Sequence, residues 1–289
     1  MRISTNTSFL ERKGYTLKEI VDVIAEAGFD AIDFSFISEK YYGEETDSEQ
    51  FKKEFIALKE YANEKGVCFN QAHAPFHSSS VDPVWTEKRF LDIVRSMRNA
   101  SYLGIPVIIV HPIQHLTYND AGVPERLFAL NMEFYRRLIP YCEQYNIQVA
   151  VENMWQYVGK KITHSTCSRP QEFIRYLDEL NSKWIVGCLD IGHAYLVGEK
   201  AEDCIYALGK DRLKALHVHD VDGIDDSHTI PYFGIGNWEE VEKALKKIGY
   251  QGDFTYEAGG FLTNYPKDLV SAGLSHMVKI ARYIISEKK

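Results

Sequence analysis

Eight short runs rich in β-branched and apolar residues recur along the chain at intervals of roughly 28 to 41 residues, with longer amphipathic stretches between them. The spacing predicts strands near 2–5, 31–36, 67–73, 106–111, 147–152, 185–190, 214–219 and 253–257. Apolar residues at helical period fall at 16–28, 52–66, 91–104, 126–145, 170–180, 238–249 and 269–285. Gly28, Gly66, Gly104 and Gly249 stand where a helix must end and the next strand begin, the place for a left-handed C-terminal cap. Strand then helix, eight times over, is the pattern of a closed (β/α)8 TIM barrel. A doubly wound sheet would need fewer strands and a glycine-rich phosphate loop after the first, and neither GxGxxG nor a Walker A stretch occurs. No linker-like segment interrupts the pattern, so one domain is expected over 1–289.

Composition narrows the function classes. Of 289 residues, 45% are apolar and 26% charged, which argues against disorder and low complexity. The formal charge of −8 argues against duplex binding, because phosphate neutralisation by Lys and Arg supplies most of such affinity. The five cysteines, Cys68, Cys142, Cys167, Cys188 and Cys204, form no CxxC pair and number an odd count, so neither a disulfide framework nor a thiolate zinc site is expected. Cys68 and Cys188 lie in apolar runs and read as buried small hydrophobes. The opening MRISTNTSF lacks the apolar core of a signal peptide, and no run of about 18 apolar residues occurs, so a cytoplasmic protein without a membrane span is expected.

In a (β/α)8 barrel the chemistry gathers at the C-terminal ends of the strands. Those ends here read His73, His111, Glu152, Asp190, His217 with His219, and Glu257. His193 and His228 follow in the loops after strands six and seven, which places six of ten histidines on one rim. Glu152, Asp190 and Glu257 each close an apolar run and are followed by stretches without an obvious cationic partner. An unpaired buried carboxylate is costly, and one cation shared by all three would account for them together. Carboxylates with imidazole and no thiolate suit Mn2+, Zn2+, Mg2+ or Co2+. His217 and His219, two apart on a strand, point to the same side, so one can ligate while the other meets substrate. Trp155, three residues after Glu152, is placed to wall a pocket.

The segments QAHAP (71–75), VHP (110–112), VEN (151–153), LDIGHA (189–194), HVHDVDGIDDSH (217–228), GIGNW (234–238) and YEAG (256–259) occur in an order that resembles the xylose isomerase-like TIM barrels. These are the sugar phosphate isomerases and epimerases, a superfamily that also contains endonuclease IV (AP endonuclease family 2). The resemblance spans nearly the whole chain. By analogy with the ketose 3-epimerases it implies one divalent metal held by Glu152, Asp190, His219 and Glu257, with His217 the competing imidazole. It implies that Glu152 and Glu257 act as the acid/base pair, and that His193 contacts substrate, with His73, His111, Trp155 and His228 also facing it. The endonuclease IV pattern maps onto His73, His111, Glu152, Asp190, His193, His217, Asp226, His228 and Glu257. Every residue type of that pattern is present, which leaves room for a second or third metal at His73, His111, His193, Asp226 and His228. The segment DVDG after His219 is closer to the small-sugar branch.

The expected reaction is proton transfer next to a metal-bound ketose carbonyl, giving isomerisation or epimerisation of a sugar. The alternatives are a zinc nuclease on abasic DNA, or a lyase or dehydratase acting on a keto sugar or polyol. The expected partner is a small-molecule sugar, not a membrane and not nucleic acid. The outward helices of such barrels often pair, which leaves a homo-oligomer open.

Overall fold

A computed structural model of the chain describes residues 1–286; the remaining positions of the expected domain, 287–289, lie outside the described residues. Its first strands and helices are β1 (Ile3–Asn6), α1 (Ser8–Arg12), α2 (Leu17–Ala27), β2 (Ala31–Ser35), α3 (Glu49–Glu64), β3 (Cys68–His73), α4 (Pro83–Leu103), β4 (Val107–Ile109) and α5 (Val123–Tyr145). They continue as β5 (Gln148–Glu152), β6 (Trp155–Val158), β7 (Lys161–His164), α6 (Pro170–Leu180), β8 (Ile185–Asp190), α7 (Ile191–Leu196), α8 (Ala201–Arg212), β9 (Leu213–His217), α9 (Trp238–Ile248), β10 (Phe254–Tyr256) and α10 (Val270–Ile285). Eight strands pair in the order β10-β1-β2-β3-β4-β5-β8-β9, all parallel. A bridge between Val218 and Tyr256 joins the two ends, so the sheet closes into the expected (β/α)8 barrel.

Local chemistry sets the element ends. Thr16 and Glu19 form a reciprocal capping box that starts α2, and Gly28 ends it in the left-handed region at φ 94°. Asp82 caps α4 with Pro83 in its first turn, so this helix begins well before the apolar stretch at 91–104. Along β5, Val149 and Val151 face the helices, while Ala150 and Glu152 face the barrel interior. The same alternation sets Val186 and Cys188 below Asp190, and Ala215 below His217. Period two thus stacks small apolar residues inside the barrel and lifts polar ones to its mouth.

Four features depart from the sequence reading. Residues 155–164 form an antiparallel hairpin, β6–β7, after the fifth barrel strand. Helix α8 is the helix that the eightfold strand–helix pattern requires after the sixth barrel strand, although no apolar period marks its range. His193 lies on the short helix α7 instead of a loop. Cys68 is half-buried and accepts a hydrogen bond from Arg2, whereas Cys188 is buried as expected. No described helix is long and apolar enough to cross a membrane.

Candidate active site

The strand ends converge on three adjoining sets of donor atoms. In the first, one ligand atom each of Glu152, Asp190, His217 and Glu257 all lie within 4.8 Å of one another. His217 Nδ1 is 2.7 Å from Glu152 Oε1 and 3.0 Å from Glu257 Oε2. The second set is His73, His111 and Glu152, with the two Nε2 atoms 2.9 Å apart and His111 Nε2 3.0 Å from Glu152 Oε2. The third is His193, His219, Asp226 and His228. His219 Nε2 lies 3.0 Å from Asp190, and His228 Nε2 3.1 Å from Asp226 Oδ2. The first two sets share Glu152, and Asp190 links the first to the third. All the sequence-predicted donors are therefore assembled at one mouth.

His217, and not His219, joins the three carboxylates. It closes the regular strand, whereas His219 stands one pleat higher and meets the loop residues Asp226 and His228. Gly192 makes room for it: a Cβ there would fall 2.1 Å from His219 Cε1. Glu257 lies one residue beyond β10, and its backbone N–H donates to Val218 O.

The electrostatics favour a cation. Among the described residues no Lys or Arg ion pair reaches Glu152, Asp190 or Glu257; their charged neighbours are imidazoles. Burial would raise the Glu152 carboxyl, but His217 and His111 outweigh it and hold the group well below the usual carboxylate range. Burial likewise opposes ionisation of Glu257, and His217 and His228 again hold its carboxyl down. Burial depresses the imidazoles of His193 and His217 less than the surrounding carboxylates raise them, so both end well above the ordinary value. His228 is similarly pushed up to about 9, its burial outweighed by Asp226, Glu257 and Asp190. The field that holds these protons would hold a metal ion in their place. Among the described residues two buried carboxylate oxygens, Asp226 Oδ1 and Asp33 Oδ1, have no hydrogen-bond partner, and Glu152 Oε2 has the His111 ring beside it, at 3.0 Å. Oxygen-rich Glu152, Asp190, His217 and Glu257 fit a divalent ion of the Mn2+, Mg2+, Zn2+ or Co2+ kind; the imidazole-rich third set fits one such as Zn2+. Cys188 Sγ also approaches Glu152 and His217, but burial pushes its thiol well above the ordinary range and keeps it a poor ligand.

Three supporting residues are absent from the sequence reading. Asn153 donates to the Asp190 carbonyl (2.9 Å) and accepts from the Asp190 N–H (2.7 Å), tying β5 to β8. Asp33, fully buried on β2, places Oδ2 3.7 Å from His217 Nε2 on the side away from the carboxylates. Asp220 is fully buried and accepts from the N–H groups of Val221, Tyr232 and Gly236 and from the Trp238 indole, at 2.8–3.1 Å. It thereby pins the loop that carries Asp226 and His228. In the sequence Asn153 and Asp220 lie within the segments VEN and HVHDVDGIDDSH without being singled out, and Asp33 shows only as an Asp within an apolar run, which demands a partner.

A cavity of about 650 Å3 opens above the three sets and is lined by His73, His111, Glu152, His193, Asp226, His228 and Glu257 at its floor. Trp155 and Phe76 line it, as the sequence reading expects of Trp155; Tyr195, Phe261, Lys160 and Lys161 are not among its lining residues.

The family model of the xylose isomerase-like TIM barrel matches residues 21–279. A D-psicose 3-epimerase of Enterocloster bolteae is 25% identical over 243 residues, covering 81% of this chain and 74% of that one. A solved D-tagatose 3-epimerase-like protein superposes with a TM-score of 0.76 at 22% identity, covering 99% and 98% of the two chains. The IolI protein with a bound zinc atom superposes at 0.79 with 16% identity, covering 99% of each chain. At these identities the structural likeness shows the fold alone.

Proposed function

The chain belongs to the xylose isomerase-like TIM barrel family, and from that premise we propose that it is a divalent-metal-dependent sugar isomerase or epimerase. The observation that carries the reading is the convergence of Glu152, Asp190, His217 and Glu257 beneath an open pocket, with imidazoles as their only charged neighbours among the described residues. The relatives named as sugar epimerases support the same class.

Glu152, Asp190, His217 and Glu257 would hold the ion, and a zinc atom bound by a relative of the same fold is in keeping with that. When bound, the ion supplies a Lewis acid that polarises the sugar carbonyl. The two glutamates divide the proton work. The Glu257 side chain is 21% exposed toward the pocket, against 1% for Glu152. Glu257 Oε is thus the group free to take the proton from the carbon next to the carbonyl. Glu152, ionised between His111 and His217, would relay a proton that reaches it from the His111 side, either to the opposite face or to the neighbouring carbon. His73, His111, His193 and His228 line the floor and position hydroxyl groups by hydrogen bonds. Such acid–base work contributes typically 10² to 10⁴-fold, with charge stabilisation supplying more.

The test is a panel of ketoses incubated with metal-loaded protein in D2O. The reading expects deuterium at the carbon next to the carbonyl, lost in Glu257→Gln; no exchange into any ketose would refute it. Product analysis separates isomerisation from the elimination of a lyase. The two further donor sets favour a second reading, a multi-zinc phosphodiesterase on abasic DNA like endonuclease IV. That reading requires two or three zinc ions per chain and salt-sensitive retention of an abasic duplex. The net charge of −8 and a pocket lined, among the described residues, by no Lys or Arg weigh against it.

A further inference from the structure

The walls of the pocket differ from its floor. The floor is charged and dense in donors; the walls are aromatic and come from two separate loops. Phe76, on the loop after β3, is 41% exposed, and its ring stacks on that of His111 with centroids 5.2 Å apart and planes at 19°. Val81 on the same loop is 86% exposed. From the hairpin, Trp155 and Tyr157 meet edge to face at 4.8 Å, and Tyr157 is 51% exposed. Exposed apolar side chains that gather at the mouth of one cavity mark a binding surface.

Several polar groups of these walls are already engaged within the protein. Ser78 Oγ donates to the His111 carbonyl at 2.6 Å, and Ser79 Oγ bonds His115 Nδ1 at 2.7 Å. Gln114 Oε1 accepts from Ser165, and Gln156 bonds Tyr118 N and Ser165 Oγ. The polar ends of the aromatic pair are also occupied. Trp155 Nε1 donates to Asp226 Oδ2 at 3.3 Å and Tyr157 Oη to Asp225 Oδ1 at 2.5 Å. Both rings are thereby fixed in place and offer a ligand their faces, not their donors. Among the described residues no Lys or Arg lines the cavity, so a phosphate or carboxylate arm would find no Lys or Arg counter-charge on these walls. A bare ketose is hydroxylated all round and would leave these walls unmatched, and a cavity of about 650 Å3 is larger than one sugar ring fills.

We propose that the substrate is a neutral keto sugar carrying a flat apolar substituent, an aryl glycoside in which a ring ketone with its neighbouring C–H stays free for the floor, so that simple aryl glycosides without the ketone serve as non-reacting binding probes. The sugar lies over the carboxylate and imidazole floor, and the substituent lies against Phe76 on one side and Trp155 with Tyr157 on the other. The proposal rests on the sugar isomerase or epimerase reading and specifies its substrate. Aromatic faces recognise such a group by stacking and by burial of its apolar area.

The test is calorimetric titration of the metal-loaded protein with 4-nitrophenyl β-D-glucopyranoside, methyl β-D-glucopyranoside and glucose 6-phosphate. The expected result is that the nitrophenyl glycoside binds at least about tenfold more tightly than the methyl glycoside, with the phosphate ester weakest. In Phe76→Ala and in Tyr157→Ala the tenfold ratio should shrink to about threefold or less, with methyl glycoside affinity little changed. Both side chains are exposed, so neither truncation threatens the core. Equal affinities, tighter binding of the phosphate ester, an unchanged ratio in both variants, or no binding of any of the three would overturn the proposal. Deuterium exchange separates it from its parent. Exchange into D-fructose without any aryl preference removes the proposed substituent and leaves the isomerase standing. An aryl preference that both variants abolish, with no exchange into any ketose, supports the pocket assignment and removes the reaction.

Discussion

Both ends of the barrel bury polar side chains, and they do so in opposite ways. At the N-terminal end Ser4 donates to Asn70 (2.7 Å), Asn70 to Asp253 (2.9 Å), and Thr255 to Gln71 (3.2 Å). Arg2 closes the chain with two hydrogen bonds to the Asp253 carboxylate, at 3.0 and 2.8 Å. Each donor there has an acceptor, and the one carboxylate has a guanidinium. At the C-terminal end three carboxylates share imidazoles, and the buried oxygen Asp226 Oδ1 is left without a hydrogen bond among the described residues. A satisfied network holds a fold together; one that crowds carboxylates and imidazoles around a buried oxygen without a partner is arranged for something that is not protein.

The contrast can be broken or sharpened by experiment. The largest effect is expected at the mouth: Glu257→Gln should lower turnover by about 10³-fold or more with an unchanged far-UV circular dichroism spectrum. Retention of a tenth of the activity would remove Glu257 from the chemistry. Stripping metal with a chelator comes next. At a metal concentration a hundredfold above Kd the ion adds about 2.7 kcal/mol, so its loss should lower Tm by roughly 5–10 °C, reversibly on readdition. An unchanged Tm would mean that the mouth is satisfied without an ion. Asp220→Asn should weaken zinc binding at the His193, His219, Asp226 and His228 set by about 10 to 100-fold in a chelator competition, because the loop bearing Asp226 and His228 loses its anchor; unaltered binding would show the loop to be held by other contacts. The smallest effect belongs to the opposite end. Asn70→Ala should cost about 1–2 kcal/mol in urea unfolding while activity per folded molecule is unchanged, and a change in metal affinity there would erase the distinction between the two ends.

The barrel is legible in the chain because two periods and a few glycines encode it. Strand alternation places Glu152 above Ala150 and Asp190 above Cys188, and the pattern carries that information without coordinates. Depth is not encoded in the same way. Two residues of equal parity, His217 and His219, share a face, and only the third dimension assigns the lower one to the carboxylates and the upper one to the loop. The hairpin at 155–164 escapes notice because WQYV and KITH are short, half-exposed and joined through Gly159 and Lys160, so no apolar face marks them. Helix α8 is only weakly amphipathic and carries a kink at Gly209, which hides its period. Asp33 leaves no sequence trace beyond an acidic residue in apolar company, and Asp220 none beyond its place in HVHDVDGIDDSH, since the groups they serve lie on other strands or twelve and more residues ahead.

The four hydrogen bonds received by Asp220 have a further consequence. A loop tethered through a buried anion is ordered before any guest arrives, so Asp226 and His228 need surrender little conformational entropy when one does. The mouth of this barrel is a preorganised cradle: selectivity among cations should come from its fixed dimensions, and a misfit ion cannot be accommodated by letting the loop swing outward.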